Sequence, residues 1–243
     1  MDWEPTGFER ARRETVRYHE ELYAAAALGQ AGTWLARPHR LLADALELVR
    51  SGRPVVAYDL GAGIGRHTIP LLRQLPDGSD VYAVDLLPSA LRSLENAVRP
   101  GIRTRLHTRP ADLDGFEFEA PADLILAFSA IEHLRDLEAV RSLLGRIRAA
   151  AKPGAVVAIG IVADRVEVDS HGRRRPALLE SAMSAEEATG LLVGAFSGFD
   201  MVYQRIGPAQ VRENRGEDTY TLTSTLITWL ATRPGQRDAI EHG

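Results

Sequence analysis

Three glycines at alternate positions, Gly61, Gly63 and Gly65, follow an apolar run that ends in Asp59. Glycine suits backbone that turns through positive φ or approaches a ligand closely. Beyond them, Arg66 to Gln74 carries Ile69, Leu71 and Leu72 at helical spacing, with Leu75 next. A strand, a bare turn and a helix N-terminus in that order offer unpaired N–H groups to a nucleotide-like ligand. An acid about twenty positions past the glycines is placed to accept from both ribose hydroxyls. Asp85 holds that place.

The residue after the last glycine narrows the kind of nucleotide. A dinucleotide site has the spacing G-x-G-x-x-G. Here the third dinucleotide glycine is replaced by Arg66, giving G-x-G-x-G. Its bulk works against close approach of a pyrophosphate and against tight helix–strand packing. A nicotinamide oxidoreductase is therefore the lesser reading of this turn.

Further chemistry-bearing residues lie downstream. Glu132 and His133 come after the fourth expected strand, and a histidine there is a candidate general base. The remaining histidines, His19, His39, His67, His107 and His171, show no metal-ligand spacing, and no metal is expected. Tyr18, Tyr23 and Trp34 either pack two helices together or close an aromatic over the ligand. Arg173–Arg175 reads as a solvated loop or a lid toward an anionic substrate. Arg66 likewise meets an anion or the surface.

Cysteine is absent, which excludes disulfides, thiolate catalysis and Cys-ligated metals. The net charge of −4 over 243 residues lacks the basic excess of an extended nucleic-acid groove. With 45% hydrophobic residues the chain can bury a core. The polar start, Met1-Asp2-Trp3-Glu4-Pro5, has no signal-peptide pattern, and no apolar run reaches membrane-spanning length. A soluble, cytoplasmic protein is expected, with no membrane and no nucleic-acid partner. Its oligomeric state is not legible.

The elements that must position these residues alternate. Helices are expected at 8–27 and 39–49, forming a helical cap over 1–50. The main domain is expected over 51–243. Its strands are read at 55–59, 80–85, 104–108, 124–128 and 155–162, with helices after the first, second and fourth, at 66–74, 88–98 and 137–150. Lys152-Pro153-Gly154 reads as a turn, and 112–121 and 164–179 as polar loops. Ser184 with Glu187 has capping-box spacing for a helix to Phe196. Two alternating stretches, 200–207 and 220–232, read as an antiparallel pair separated by a charged segment, 212–218. The expected fold is α/β: a Rossmann-like, seven-stranded, mostly parallel sheet with that pair at its C-terminal end.

In this order the landmarks resemble the class I S-adenosylmethionine-dependent methyltransferases. They are Asp59-Leu60-Gly61-Ala62-Gly63-Ile64-Gly65, then Val84-Asp85, Ala111-Asp112-Leu113, Phe128-Ser129-Ala130-Ile131-Glu132-His133-Leu134 and Lys152-Pro153-Gly154. The small-molecule and tellurite-resistance types are the most similar in C-terminal layout. The resemblance implies S-adenosyl-L-methionine as cofactor and in-line methyl transfer to a small-molecule acceptor. It implies that Gly61, Ala62, Gly63 and Gly65 pass against the methionine part and ribose, and that Asp59 orients the amino group. Asp85 and Leu86 would serve the ribose. Asp112 and Leu113 would serve the adenine, although Asp114 competes with Asp112. Phe128, Ser129 and Ile131 would lie near the transferred methyl. His133 would act as a base or line the cofactor pocket. The chain lacks the Asn/Asp-Pro-Pro-aromatic motif of enzymes that methylate nucleic-acid or glutamine amino groups. Missing cysteines also set aside covalent cytosine-C5 and arsenite-type chemistry. A module that binds the cofactor without turnover is the remaining alternative.

Overall fold

The fold is that of a computed structural model, which describes residues 7–25, 27–31, 33–49, 52–215 and 218–235. The polar start at 1–5 and the tip of the charged segment at 216–217 lie outside them. The strands are β1 (Val56–Leu60), β2 (Asp80–Asp85), β3 (Arg105–Pro110), β4 (Ala122–Phe128), β5 (Ala151–Asp169), β6 (Arg174–Pro176), β7 (Asp200–Arg215) and β8 (Asp218–Thr232). The helices are α1 (Gly7–Ala25), α2 (Leu41–Val49), α3 (Thr68–Gln74), α4 (Pro88–Ala97), α5 (Leu137–Ala150) and α6 (Ala185–Ala195). Short 3-10 turns occupy Trp34–Ala36 and Ile131–His133. No helix among the described residues is long and apolar enough to cross a membrane.

The sheet order is β3-β2-β1-β4-β5-β8-β7, parallel from β3 to β5 and antiparallel from β5 to β7. All seven side chains of β4, the central strand, are buried. The cause is coverage on both faces: α5 and α6 bury Leu143, Ile147 and Leu192 against one, with Ile125 and Val157. On the other, Leu41, Leu42, Leu46 and Leu71 meet Ala57, Leu124 and Leu126. So α2, expected as part of a cap, shares the core of the sheet. Only α1 lies over the cleft, and among its described residues Ala11 is the buried one.

The sequence expectation of seven strands needs correction. The segment 164–179, read as a polar loop, continues β5 to Asp169 and returns as β6, the eighth strand. Asp164 turns through φ 50°, where the ladder shifts register, and Arg165, Val166, Glu167 and Val168 then alternate across the strand. The alternation is hidden in sequence because its inward residues are charged. Lys152-Pro153-Gly154, read as a turn, is an irregularity inside β5: the ladder skips between Ala122–Ala151 and Leu124–Val156. Likewise β7 extends through 212–215, where each residue pairs with β8. Ser184 and Glu187 do form the capping box of α6.

Candidate active site

The carboxyl ends of the parallel strands open into a cavity of about 430 Å³. Its near wall is backbone. Gly61 and Ala62 donate to the Val84 carbonyl at 2.8 and 2.9 Å, which pins the turn to β2. Gly63 donates to Asp85 Oδ2 at 2.7 Å, and Leu87 donates to Asp85 Oδ1 at 2.8 Å. The carboxylate thus fixes the turn with one lone pair on each oxygen and keeps another for a ligand. Burial lifts the Asp85 carboxyl above its ordinary value, against the pull of these two bonds.

The three glycines do different work. Gly61 has φ 76°, and a Cβ there would lie 2.6 Å from Ala130 Cβ. Gly63 has φ 52°, and its Cβ would lie 2.5 Å from the Tyr23 hydroxyl. Both face the cavity. Gly65 does not line it: at φ 96°, a Cβ there would meet Leu94 Cδ1 at 2.4 Å. Its glycine is required by packing of the turn on α4, not by a ligand.

Asp59 also lies behind the wall rather than in it. It is fully buried, and Thr68 Oγ1 donates to its Oδ2 at 2.6 Å, joining β1 to α3. Oδ1 has no hydrogen-bond partner among the described residues, and burial raises the carboxyl to about 6. His67 Nδ1 stands 3.9 Å from it, but burial holds that imidazole well below its usual value, so it brings no charge.

The other expected residues do line the cavity: Ala62, Leu86, Asp112, Leu113, Phe128, Ser129 and His133. Asp114 pairs with Arg135 and does not line the cavity, whereas Asp112 does. Ser129 adopts φ 53°, a sparsely populated conformation for a non-glycine residue, held by its N–H bond to the Gly160 carbonyl at 2.9 Å. Ile131 is buried beneath this turn and does not line the cavity.

Several cavity residues escaped the sequence reading, among them Arg12, Thr15 and His19 of α1, which join the aromatic Tyr23 that it named. Arg12 donates to Asp112 Oδ2 at 3.1 Å and to the His133 carbonyl at 2.8 Å, bridging the β3 and β4 ends. Tyr23 covers Gly63; burial, then Asp85, keep its phenol protonated above the ordinary value. His19 stands edge-on to His133 with ring centroids 5.8 Å apart, and burial holds it at about 4, hence neutral. Arg12, Thr15, His19 and Tyr23 recur every three or four residues, so one face of α1 forms the roof. That spacing was the signal available.

Trp34 also lines the cavity, and Arg66 stacks on it at 4.9 Å while donating to its carbonyl at 2.7 Å. Arg66 is accordingly a half-buried tie between turn and cap, and it lines the cavity. Arg173 and Arg175 are likewise engaged, with Asp169 and with Glu167 and Asp218, so the triple-arginine run is a hairpin rather than a loose lid.

The far wall belongs to side chains. His133 Nδ1 lies 3.3 Å from Oε2 of Glu180, whose side chain is wholly buried. Burial opposes the Glu180 charge, yet hydrogen bonds from His133 and Thr15 outweigh it and hold the carboxyl at about 2. Beyond them Leu178, Val211, Leu222 and Leu226 give an apolar end.

Residues 58–157 match the family model described as a methyltransferase domain. Solved structures share the fold at low identity. TehB from Haemophilus influenzae is 16% identical with a TM-score of 0.60, over 84% of this chain and 64% of that one. The 1,6-didemethyltoxoflavin-N1-methyltransferase of Burkholderia thailandensis, solved with didemethyltoxoflavin and S-adenosylhomocysteine, is 22% identical with a TM-score of 0.55. That match covers 96% of this chain and 91% of that one. NodS, an N-methyltransferase from Bradyrhizobium japonicum WM9 solved with S-adenosylhomocysteine, is 15% identical with a TM-score of 0.54, over 95% and 100%. No curated protein matches the sequence. Residues 58–157 thus match a methyltransferase domain, and the chain shares the fold of these solved structures. The matched stretch supplies β1 to β5 and so the backbone wall; Glu180 and the far wall's apolar residues lie beyond it.

Proposed function

We propose that this enzyme methylates a small molecule held against the side-chain wall, with the cofactor held against the backbone wall. The observation that carries the reading is the cavity that joins both walls across Ser129 and His133. The near wall suits the cofactor: Gly61 leaves no Cβ at the β4 turn, and Asp85 keeps free lone pairs beside Gly63. Asp85 would hold the ribose hydroxyls, Asp112 the adenine amino group with Leu113 against the ring, and Ala62 and Leu86 the edges. Asp59, with its unpartnered Oδ1, would act from beneath the turn on the amino-acid end. Gly65 supports the turn through packing.

When bound, S-adenosylmethionine supplies an electrophilic methyl group on a positively charged sulfur. The chain's own contribution is to align an acceptor with that group and to exclude water. Alignment alone supplies much of the rate in such displacements. The α1 roof, anchored through Arg12 and Tyr23, provides the exclusion. The cavity volume of about 430 Å³ and the apolar end at Leu178, Val211, Leu222 and Leu226 favour a small acceptor.

Calorimetry with S-adenosylhomocysteine and with NAD tests the reading. Saturable binding of S-adenosylhomocysteine and none of NAD is expected. Preference for NAD would overturn it in favour of the oxidoreductase. Binding without methyl transfer to any acceptor would favour the non-catalytic module.

A further inference from the structure

We infer that Glu180 positions His133 as a general base, and that the acceptor is a neutral or cationic molecule bearing an N–H or O–H on an apolar body, not an oxyanion. The inference rests on the methyltransferase reading and adds the acceptor class to it.

The geometry begins with the ring. An ionised carboxylate facing Nδ1 selects the tautomer with its hydrogen on that nitrogen, which leaves the lone pair on Nε2. Glu180 is such a carboxylate: its side chain is wholly buried, and Oε2 faces His133 Nδ1 at 3.3 Å. A Thr15 hydrogen bond from α1 holds the same carboxyl. His133 lines the cavity with its side chain about a quarter exposed (27%), while its carbonyl is fixed by Arg12. Ring and backbone are thus both held at the end of β4.

Charge in the far half then selects the acceptor. Glu132, Glu167 and Glu180 all line it. The arginines that line the cavity, Arg12, Arg17, Arg66 and Arg165, already donate to groups of the chain itself. Arg165 donates to the carbonyls of Glu132 and Ser181, and Arg12 to Asp112 and His133. An oxyanion in the far half would face the carboxyls of Glu132 and Glu180, while Glu167 is paired with Arg175 and the Arg165 guanidinium is held on carbonyls. The oxyanion would also have no use for a base, because it arrives as a nucleophile. A hydroxyl, a protonated amine or a pyrrole-type N–H needs one. The charged and titratable groups around His133 are Glu180, Glu132, Asp85, His19, Arg12 and Arg165.

Protons and electron pairs balance in this transfer. The acceptor's proton goes to Nε2, and the electron pair it leaves forms the bond to the methyl carbon. The pair of the broken carbon–sulfur bond returns to sulfur. Nε2 then yields the proton to water.

Nitrogen-15 spectra of the full chain without cofactor, in alkaline buffer, test the positioning. His133 is assigned by its loss in His133→Gln. The expected signature is a protonated Nδ1 and an unprotonated Nε2, lost in Glu180→Gln and partly restored in Glu180→Asp. An Nε2–H tautomer in the wild type, or one indifferent to both substitutions, would overturn it. Benzimidazole and 6-hydroxyquinoline, as N–H and O–H probes, are expected to shift the His133 resonances, and tellurite to leave them unmoved. A response to tellurite, or to neither organic probe, would overturn the acceptor class. S-adenosylhomocysteine binding in the same samples separates the two readings. If it is lost in the wild type, the methyltransferase assignment fails; if it persists while the tautomer does not respond, only the positioning fails.

Discussion

One wall of the cavity is main chain and the other is side chain, and they constrain sequence differently. At the β1–β2 end the surface is the turn from Gly61 to Gly63, fixed by Val84 and Asp85 over a short stretch of sequence. A residue type is demanded at each point, because a Cβ would overlap Ala130 or Tyr23. At the β5–β8 end the surface is assembled from α1, the end of β4, the β5–β6 return and the long β7–β8 hairpin. There many side chains serve, provided the wall is apolar around a few polar groups. On the proposed reading the first wall holds the cofactor and the second the acceptor.

The sharpest way to break this contrast is at Gly65, which belongs to the motif but not to the wall. Gly65→Ala adds a Cβ at φ 96° and 2.4 Å from Leu94 Cδ1. Overpacking costs about 1–3 kcal/mol and left-handed strain about 1–2 kcal/mol, so a loss of about 2–5 kcal/mol in unfolding free energy is expected. Cofactor affinity of the folded fraction should stay within about threefold, since about 0.6 kcal/mol is the ceiling for an uncoupled site. Urea unfolding and calorimetry on one preparation read both quantities. A large affinity loss at unchanged stability would return Gly65 to the binding wall.

Asp85→Ala sharpens the contrast from the other side. Hydrogen bonds to a charged group contribute about 1.5–3 kcal/mol each. Loss of the carboxylate should lower cofactor affinity at least tenfold, about 1.4 kcal/mol or more, while the fold persists. The Nδ1–H signature of His133 should be untouched. Unchanged affinity by calorimetry would remove Asp85 from the site.

The same contrast explains what could be read in the sequence. The turn, the places of Asp85 and Asp112 beside the cavity and the succession of parallel strands along the chain were legible, because backbone geometry and burial leave few alternatives. Glu180 was not: it reaches His133 across 47 residues, and nothing local marks it. The β5–β6 return was missed because Arg165 and Glu167 face inward, where a strand was expected to show apolar residues. Arg12, Thr15 and His19 did carry a signal, their helical spacing from Tyr23, which had been named as a candidate cover. It was passed over because a polar face ordinarily faces water, and here it faces a cavity.

A smaller effect separates the walls by pH. In the roof, His19 is held at about 4, below its ordinary 6.5, mainly by burial. The unfolded chain therefore binds more protons in that window, and stability falls as pH drops from 6.5 toward 4. Beneath the turn, Asp59 has the opposite sign. Its carboxyl is raised from 3.8 to about 6 by burial, so the folded chain binds the extra proton. Its contribution is full below about 3.8 and is lost as pH rises through 6. Asp59→Asn keeps an acceptor for Thr68 and removes the charge. It should be more thermostable than the wild type at about pH 7, and the gap should close as pH falls from about 6 to about 4. The His19 decline should remain and look steeper, because the opposing gain from Asp59 is gone. A melting-temperature difference that stays constant from about pH 7 to about pH 4 would mean that Asp59 does not carry a buried charge at neutral pH, and the two walls would then respond to acid alike.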